Sequence, residues 1–201
     1  MKTRSGLTLI EIMIILSVVS AIAILAIPNL LRSRLSANET MAINTLKYLS
    51  LMQEEFHQAL EHNLDNDDVG EYGSFAMLSG AKPTSTGELK EPYLDDRFKQ
   101  ETDGEVELSG YKFKVFLPDK ERTVQGRLSN ATSEKEIFWC AFAWPSVPGE
   151  SGDRVFFINQ SNLVFSKIHK DVELPVMKSG IAYTGEPLSG EIDVANWVFV
   201  R

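Results

Sequence analysis

One stretch governs what this chain can fold into. From Leu7 to Ile27 it runs 21 residues with only Thr8, Glu11, Ser17 and Ser20 polar. As a helix rising ~1.5 Å per residue this stretch is about 31 Å long. That matches a hydrocarbon core of roughly 30 Å. The six residues ahead of it, Met1-Lys2-Thr3-Arg4-Ser5-Gly6, are short, polar and basic.

Three readings fit such a start. A cleaved secretory signal would use Lys2 and Arg4 as its basic region and Ala21-Ile22-Ala23 as its cleavage site. Against it, the apolar run continues to Ile27 and Glu11 sits inside what should be the apolar core. A plain uncleaved anchor fits the length but explains neither Glu11 nor the Gly6-Leu7 junction. The third reading uses both. A carboxylate in an apolar span is expensive and usually has a partner. Were the chain cut after Gly6, Glu11 would lie one helical turn from a new terminal amine. A staggered neighbouring copy would bring its own amine to this carboxylate, offsetting the desolvation of both charges and setting the stagger. The bland alternative is a glutamate that snorkels to the headgroups.

Ser5-Gly6-Leu7-Thr8-Leu9-Ile10-Glu11, the apolar run and Pro28 together resemble the class III signal of type IV pilins and type II secretion pseudopilins. The resemblance implies that a prepilin peptidase cuts after Gly6 and N-methylates Leu7. It maps the family's assembly glutamate to Glu11 and its helix-kinking proline to Pro28. Leu7 stands where the family usually has Phe. The implied fold is α+β and pilin-like, a long N-terminal helix packed on an antiparallel sheet. Residues 1–6 would be the leader and 7–27 the transmembrane and filament-core helix. Residues 28–63 would be an amphipathic stem, and 64–201 an extracytoplasmic β-sheet domain.

Residue patterning supports the later divisions independently. Leu35, Ala42, Leu46, Leu49, Phe56 and Leu60 recur at spacings of three, four or seven, with Met52 and Ala59 at the stripe's edge, while Asn44, Lys47, Glu54, Glu55 and Gln58 fall opposite. Lys2 and Arg4 before the apolar run, and Arg32 and Arg34 after it, leave charge silent on orientation. Asp65-Asn66-Asp67-Asp68-Val69-Gly70 resembles a calcium loop but lacks the EF-hand's closing carboxylate, since Ala76 holds the twelfth position. It reads as a solvated, helix-ending turn.

Residues 79–104, rich in Gly, Pro, Ser, Thr and charge, read as a loop. Strands are expected at Glu105–Leu108, at Tyr111–Leu117 by period-two alternation, and through the apolar Ile137–Trp144. Val155–Ile158 and Leu163–Phe165 flank a turn at Asn159–Asn162 and predict a hairpin; Trp197–Val200 predicts a last strand. Cys140 reads as a small buried hydrophobe. The segment from Gly190 to Trp197 faintly resembles the C-terminal calcium-binding loop of the major pseudopilin. The resemblance would make Glu191 and Asp193 calcium candidates, although two carboxylates fall short of the six to eight oxygens calcium takes.

The chain carries 20 Lys and Arg against 28 Asp and Glu, a net charge of -8, which argues against nucleic acid as a partner. Its single cysteine allows no intrachain disulfide. No phosphate loop, nucleophile elbow or H-E-x-x-H motif occurs, and His57 and His62, five apart, do not share a helix face. No enzymatic activity and no cofactor are expected. The resemblance implies a structural filament subunit of a type II secretion-like pseudopilus that serves protein export. Its partners would be the prepilin peptidase, other copies and related pilins, an inner-membrane assembly platform and the lipid bilayer. It would sit in a bacterial inner membrane by one pass, with its C-terminal domain in the periplasm or outside. A type IV pilus subunit, for adhesion, motility or DNA uptake, is the alternative. A membrane-anchored periplasmic binding or sensor domain is a third.

Overall fold

The computed structural model describes residues 7–117, 122–124, 127–129, 135–168 and 197–200. Gly6, Glu191 and Asp193 lie outside the described residues.

The apolar run and the stem form one continuous helix, α1, Leu9–Gln58. Its polar residues fold back on it. Ser17 Oγ donates to the Met13 carbonyl at 2.8 Å, Ser20 Oγ to Leu16 at 2.8 Å, and Asn29 Nδ2 to Leu25 at 3.1 Å. Each bond hides a polar group against the backbone and leaves an apolar exterior. Pro28 lies inside α1. It has no amide to give the Ile24 carbonyl, so the ladder loses one rung there.

The helix stops at Gln58, five residues short of the 63 expected from periodicity. Leu60 enters the left-handed region at φ 55°, which ends the helical path. The chain then doubles back so closely that a Cβ on Gly70 would sit 2.3 Å from the His57 carbonyl oxygen. Only glycine allows that approach. Leu60, expected on the buried stripe, is therefore 37% exposed.

A short helix α2, Phe75–Leu78, capped by Ser74, and a 3₁₀ turn at Asp96–Lys99 follow. The stretch 79–104 is mostly loop, as its composition suggests, yet it sends Leu94 and Phe98 into the core. Strands β1 (Glu105–Leu108), β2 (Tyr111–Phe116), β5 (Cys140–Pro145), β6 (Arg154–Asn159), β7 (Phe165–Ile168) and β8 (Val198–Phe199) pair antiparallel in the order β1-β2-β5-β6-β7-β8. A separate two-stranded sheet joins β3 (Arg122–Val124) and β4 (Arg127–Ser129), which the sequence patterning did not indicate. The result is α+β: a long helix on an antiparallel sheet.

The apolar stretch from Ile137 begins its strand only at Cys140. The residues just ahead of Ile137 bond to the helix and the loop after it: the Lys135 carbonyl accepts the Tyr72 amide and the Glu136 carbonyl accepts from His57 Nε2, both at 2.9 Å.

Alternation splits the sheet into two apolar faces. Ala141, Ala143, Phe113, Phe156 and Ile158 face α1, where they meet Ala42, Leu46, Leu49 and Phe56. The alanines on central β5 let a helix lie close. Cys140, Phe142, Trp144, Val155, Phe157 and Phe165 form the opposite cluster, with Phe116 and Trp197 against it. Cys140 is fully buried there, and burial pushes its thiol well up, so it stays a protonated hydrophobe.

Polar contacts fix where the helix crosses the sheet. Glu39 Oε2 takes Nε and Nη2 of Arg154 at 2.9 and 2.7 Å, and its Oε1 takes the Asp153 amide at 3.1 Å. About four turns further along α1, Gln53 is fully buried and bonds both the amide and the carbonyl of Gly73 at 2.9 and 2.7 Å. A buried amide side chain is acceptable only when so satisfied.

Candidate functional site

Two places on the molecule carry unusual chemistry. The first is the free half of α1. From Leu7 to Arg34 every residue except Ala23 is exposed, and none of the apolar window that could cross a membrane is buried. Leu9, Ile24 and Leu25 are each over 70% exposed. This is far more contiguous apolar surface than a soluble monomer normally shows. The helix is long and apolar enough to cross a bilayer.

Glu11 and Thr8 close its upper end in a reciprocal capping box. The Thr8 amide and hydroxyl donate to Glu11 Oε2 at 2.7 and 2.8 Å, and the Glu11 amide donates back to Thr8 Oγ1 at 3.3 Å. Glu11 thus has a local structural task within its own chain, one the motif did not reveal. Leu7 lies one residue outside the cap and is 70% exposed. Pro28 lies 17 positions past Glu11, near the lower end of the exposed run.

The second place lies at the far end of α1. Asp65 and Asp67 stand on the loop after the helix, and Glu136 arrives from the segment leading into β5. One carboxylate oxygen of each lies within 4.8 Å of the others. Glu71 is fully buried alongside: its Oε1 accepts the Leu64 amide at 2.9 Å, while Oε2 has no partner. Burial, then Asp67, Asp65 and Glu71 in turn, raise the Glu136 carboxyl to about 7. The solvated-turn reading holds for Asp65 and Asp67 themselves, which are exposed. It missed Glu71 and Glu136, because nothing in the local sequence links positions 65 and 136.

His62 braces this loop. Its carbonyl accepts the Glu71 amide at 2.8 Å, and its Nδ1 accepts the Ser85 amide at 2.9 Å. Only an unprotonated nitrogen can accept. Burial holds the imidazole below its ordinary range, outweighing the opposite pull of Glu71. The unfolded chain therefore takes up its proton at a higher pH than the folded chain. The His62 contribution to stability is full above roughly pH 6.5 and is lost as pH falls through the folded value. Between about pH 7 and pH 5 His62 should pull the melting temperature down, against the Glu136 carboxyl, which takes up its proton in the folded chain over the same window and pulls it up. His62→Asn, which keeps an acceptor near Nδ1 and cannot titrate, should lack the downward pull, so on going from about pH 7 to pH 5 the native chain should lose melting temperature relative to this variant. Parallel slopes would mean that His62 is not the group responsible.

No curated protein and no solved structure matches the chain. The exposed part of the helix before residue 26 falls outside the segment that matches a family. That segment, residues 26–172, spans the stem of α1 and the sheet through β7, and it matches the family described as "Protein of unknown function (DUF2950)", to which this chain belongs.

Proposed function

We propose that the chain is a prepilin-type filament subunit, assembling through the exposed half of α1 into a pseudopilus of the type II secretion kind. The single observation that carries the reading is that Leu7 to Ile27 presents an apolar exterior, unburied by its own chain, with Glu11 near its start as its one charge. Such a surface needs lipid or copies of itself around it. A helix that leaves a bilayer and packs against its copies satisfies both requirements at different times. Gly6 and Leu7 would be the processing junction, Leu7 the methylated residue, and Glu11 and Pro28 the assembly positions. The single cysteine tilts the choice toward a pseudopilus, since many surface pilins close a C-terminal disulfide loop.

A membrane-anchored domain is the second reading, and the capping box favours it. With both its Oε2 partners supplied by Thr8, Glu11 can close a plain anchor at the membrane surface without any neighbour. The two readings part at the N-terminus. The test is the intact mass and N-terminal sequence of the protein from its native membranes. We expect a chain beginning at Leu7 and heavier by one methyl group. A chain beginning at Met1 overturns the filament reading and leaves the anchor. One beginning near Ile24 overturns both.

A further inference from the structure

We propose that Asp65, Asp67 and Glu136, backed by Glu71, form a binding site for a calcium-class divalent cation. The inference is independent of what the apolar helix does.

The first observation is spacing. Three carboxylate oxygens from two distant segments converge within 4.8 Å. Calcium binds oxygen at about 2.3–2.6 Å, so oxygens across its shell stand up to roughly 4.6–5.2 Å apart. Without a cation the same spacing is plain repulsion, and the nearest amines do not relieve it. Among the described residues the ion pairs lie elsewhere, at Asp95, Asp96, Glu105 and Glu39.

The second observation is independent of the cluster's exposed members. Glu71 is fully buried, yet its Oε2 makes no hydrogen bond, and Glu136 Oε1 is likewise buried without a partner. Buried carboxylate oxygens normally find donors. Backbone pairing brings the two residues together. The Tyr72 amide bonds the Lys135 carbonyl at 2.9 Å, setting Glu71 beside Glu136. Glu71 Oε1 holds the Leu64 amide, setting Asp65 next to it. Asp65, Asp67 and Glu136 therefore converge on one volume, with Glu136 on the protein side, the aspartates on the solvent side, and the buried Glu71 close enough to act on Glu136. All the donors are hard oxygens, and two come from an exposed loop that can adjust. That suits calcium better than magnesium, which demands a tight octahedron and retains its waters. The open side leaves room for water to complete the shell.

The full chain in detergent micelles provides the test. Terbium, a calcium substitute, should luminesce when Trp139 is excited, because that ring lies 6.0 Å from Tyr72, the residue following Glu71. Calcium should displace the signal. At a hundredfold excess over its Kd, calcium should raise the melting temperature by about 5 °C or more relative to EDTA. Glu136→Gln should abolish the calcium shift while raising the melting temperature in EDTA, since one repelling charge is gone. The opposite signs in the two buffers distinguish a site from a general loss of structure. Asp67→Asn, on the exposed loop, should also abolish the shift and guards against misfolding of the first variant. No displaceable terbium signal and no calcium shift up to ~10 mM, well above the affinity of weak extracellular calcium modules, would overturn the proposal. So would a shift that survives both substitutions.

Discussion

Glu11→Ala is expected to leave the chain in the membrane and remove it from filaments. Membrane insertion should not suffer, because the change deletes the one charge in an otherwise apolar span. Assembly should fail because the proposed partner, the terminal amine of a neighbouring copy, would then be buried with no counter-charge. Breaking a buried pair from one side costs about 3–5 kcal/mol. At ~1.4 kcal/mol per decade that is a factor of a hundred or more at every subunit contact. The capping box supplies the control. If Glu11 did no more than close its own helix, Thr8→Ala would have the same effect, since it removes the hydroxyl on the other side of the box. A lost cap costs only about 0.5–2 kcal/mol, once per chain. Immunoblots of sedimented filaments and of membranes should therefore show Thr8→Ala in both fractions and Glu11→Ala in membranes alone. Equal behaviour of the two variants would reduce Glu11 to a capping residue and favour the anchored-domain reading.

The sequence made the helix legible because its signals are periodic and local. The apolar run and the stripe Ala42, Leu46, Leu49, Phe56 are each visible within one segment, and all four residues are buried. The sheet strands were legible in kind, and their ends less so. Ile137 to Trp139 look like strand by composition, but tertiary hydrogen bonds to Tyr72 and His57 claim the backbone just before them. The end of α1 was misjudged for a similar reason. Leu60 continues the stripe in sequence, and only the return of Gly70 onto the His57 carbonyl shows why the helix must already have ended. Gln53, which no sequence pattern singles out, is buried as the polar bolt between helix and loop.

The acidic cluster shows the sharpest limit. Asp65, Asp67 and Asp68 announce themselves as a charged turn, and their spacing rightly fails the EF-hand test. What changes their meaning is Glu136, some seventy positions away, and Glu71, whose burial no local pattern indicates. A ligand set assembled by tertiary folding has no linear signature. By contrast, Glu11 was conspicuous in sequence because a charge inside an apolar run is locally improbable, while its pairing with Thr8 needed coordinates.

Phe56→Ala should destabilise the globular part by about 3–5 kcal/mol, the usual cost of deleting a large aromatic from a packed core. Phe56 is fully buried at the point where the stem, the loop and the sheet meet. Its ring stands edge-on to Tyr93 at 5.5 Å, and a Cβ on Gly73 would lie 3.1 Å from its Cε1, so little empty space surrounds it. Neighbours this confined cannot collapse into the void, which places the cost toward the upper end. Leu51→Ala, five residues earlier on the same helix, provides the contrast. Leu51 is 58% exposed, and its loss should cost within about 0.5 kcal/mol. Urea unfolding in micelles, followed through buried Trp139 and Trp144, reads both variants. The ratio of the two effects measures how completely the stem divides into a face that holds the domain and a face that is free. If the costs were comparable, the stem would not be seated on the sheet through the Ala42–Phe56 stripe. A large gap leaves the outward face of the stem available for contacts between subunits, as the filament reading requires.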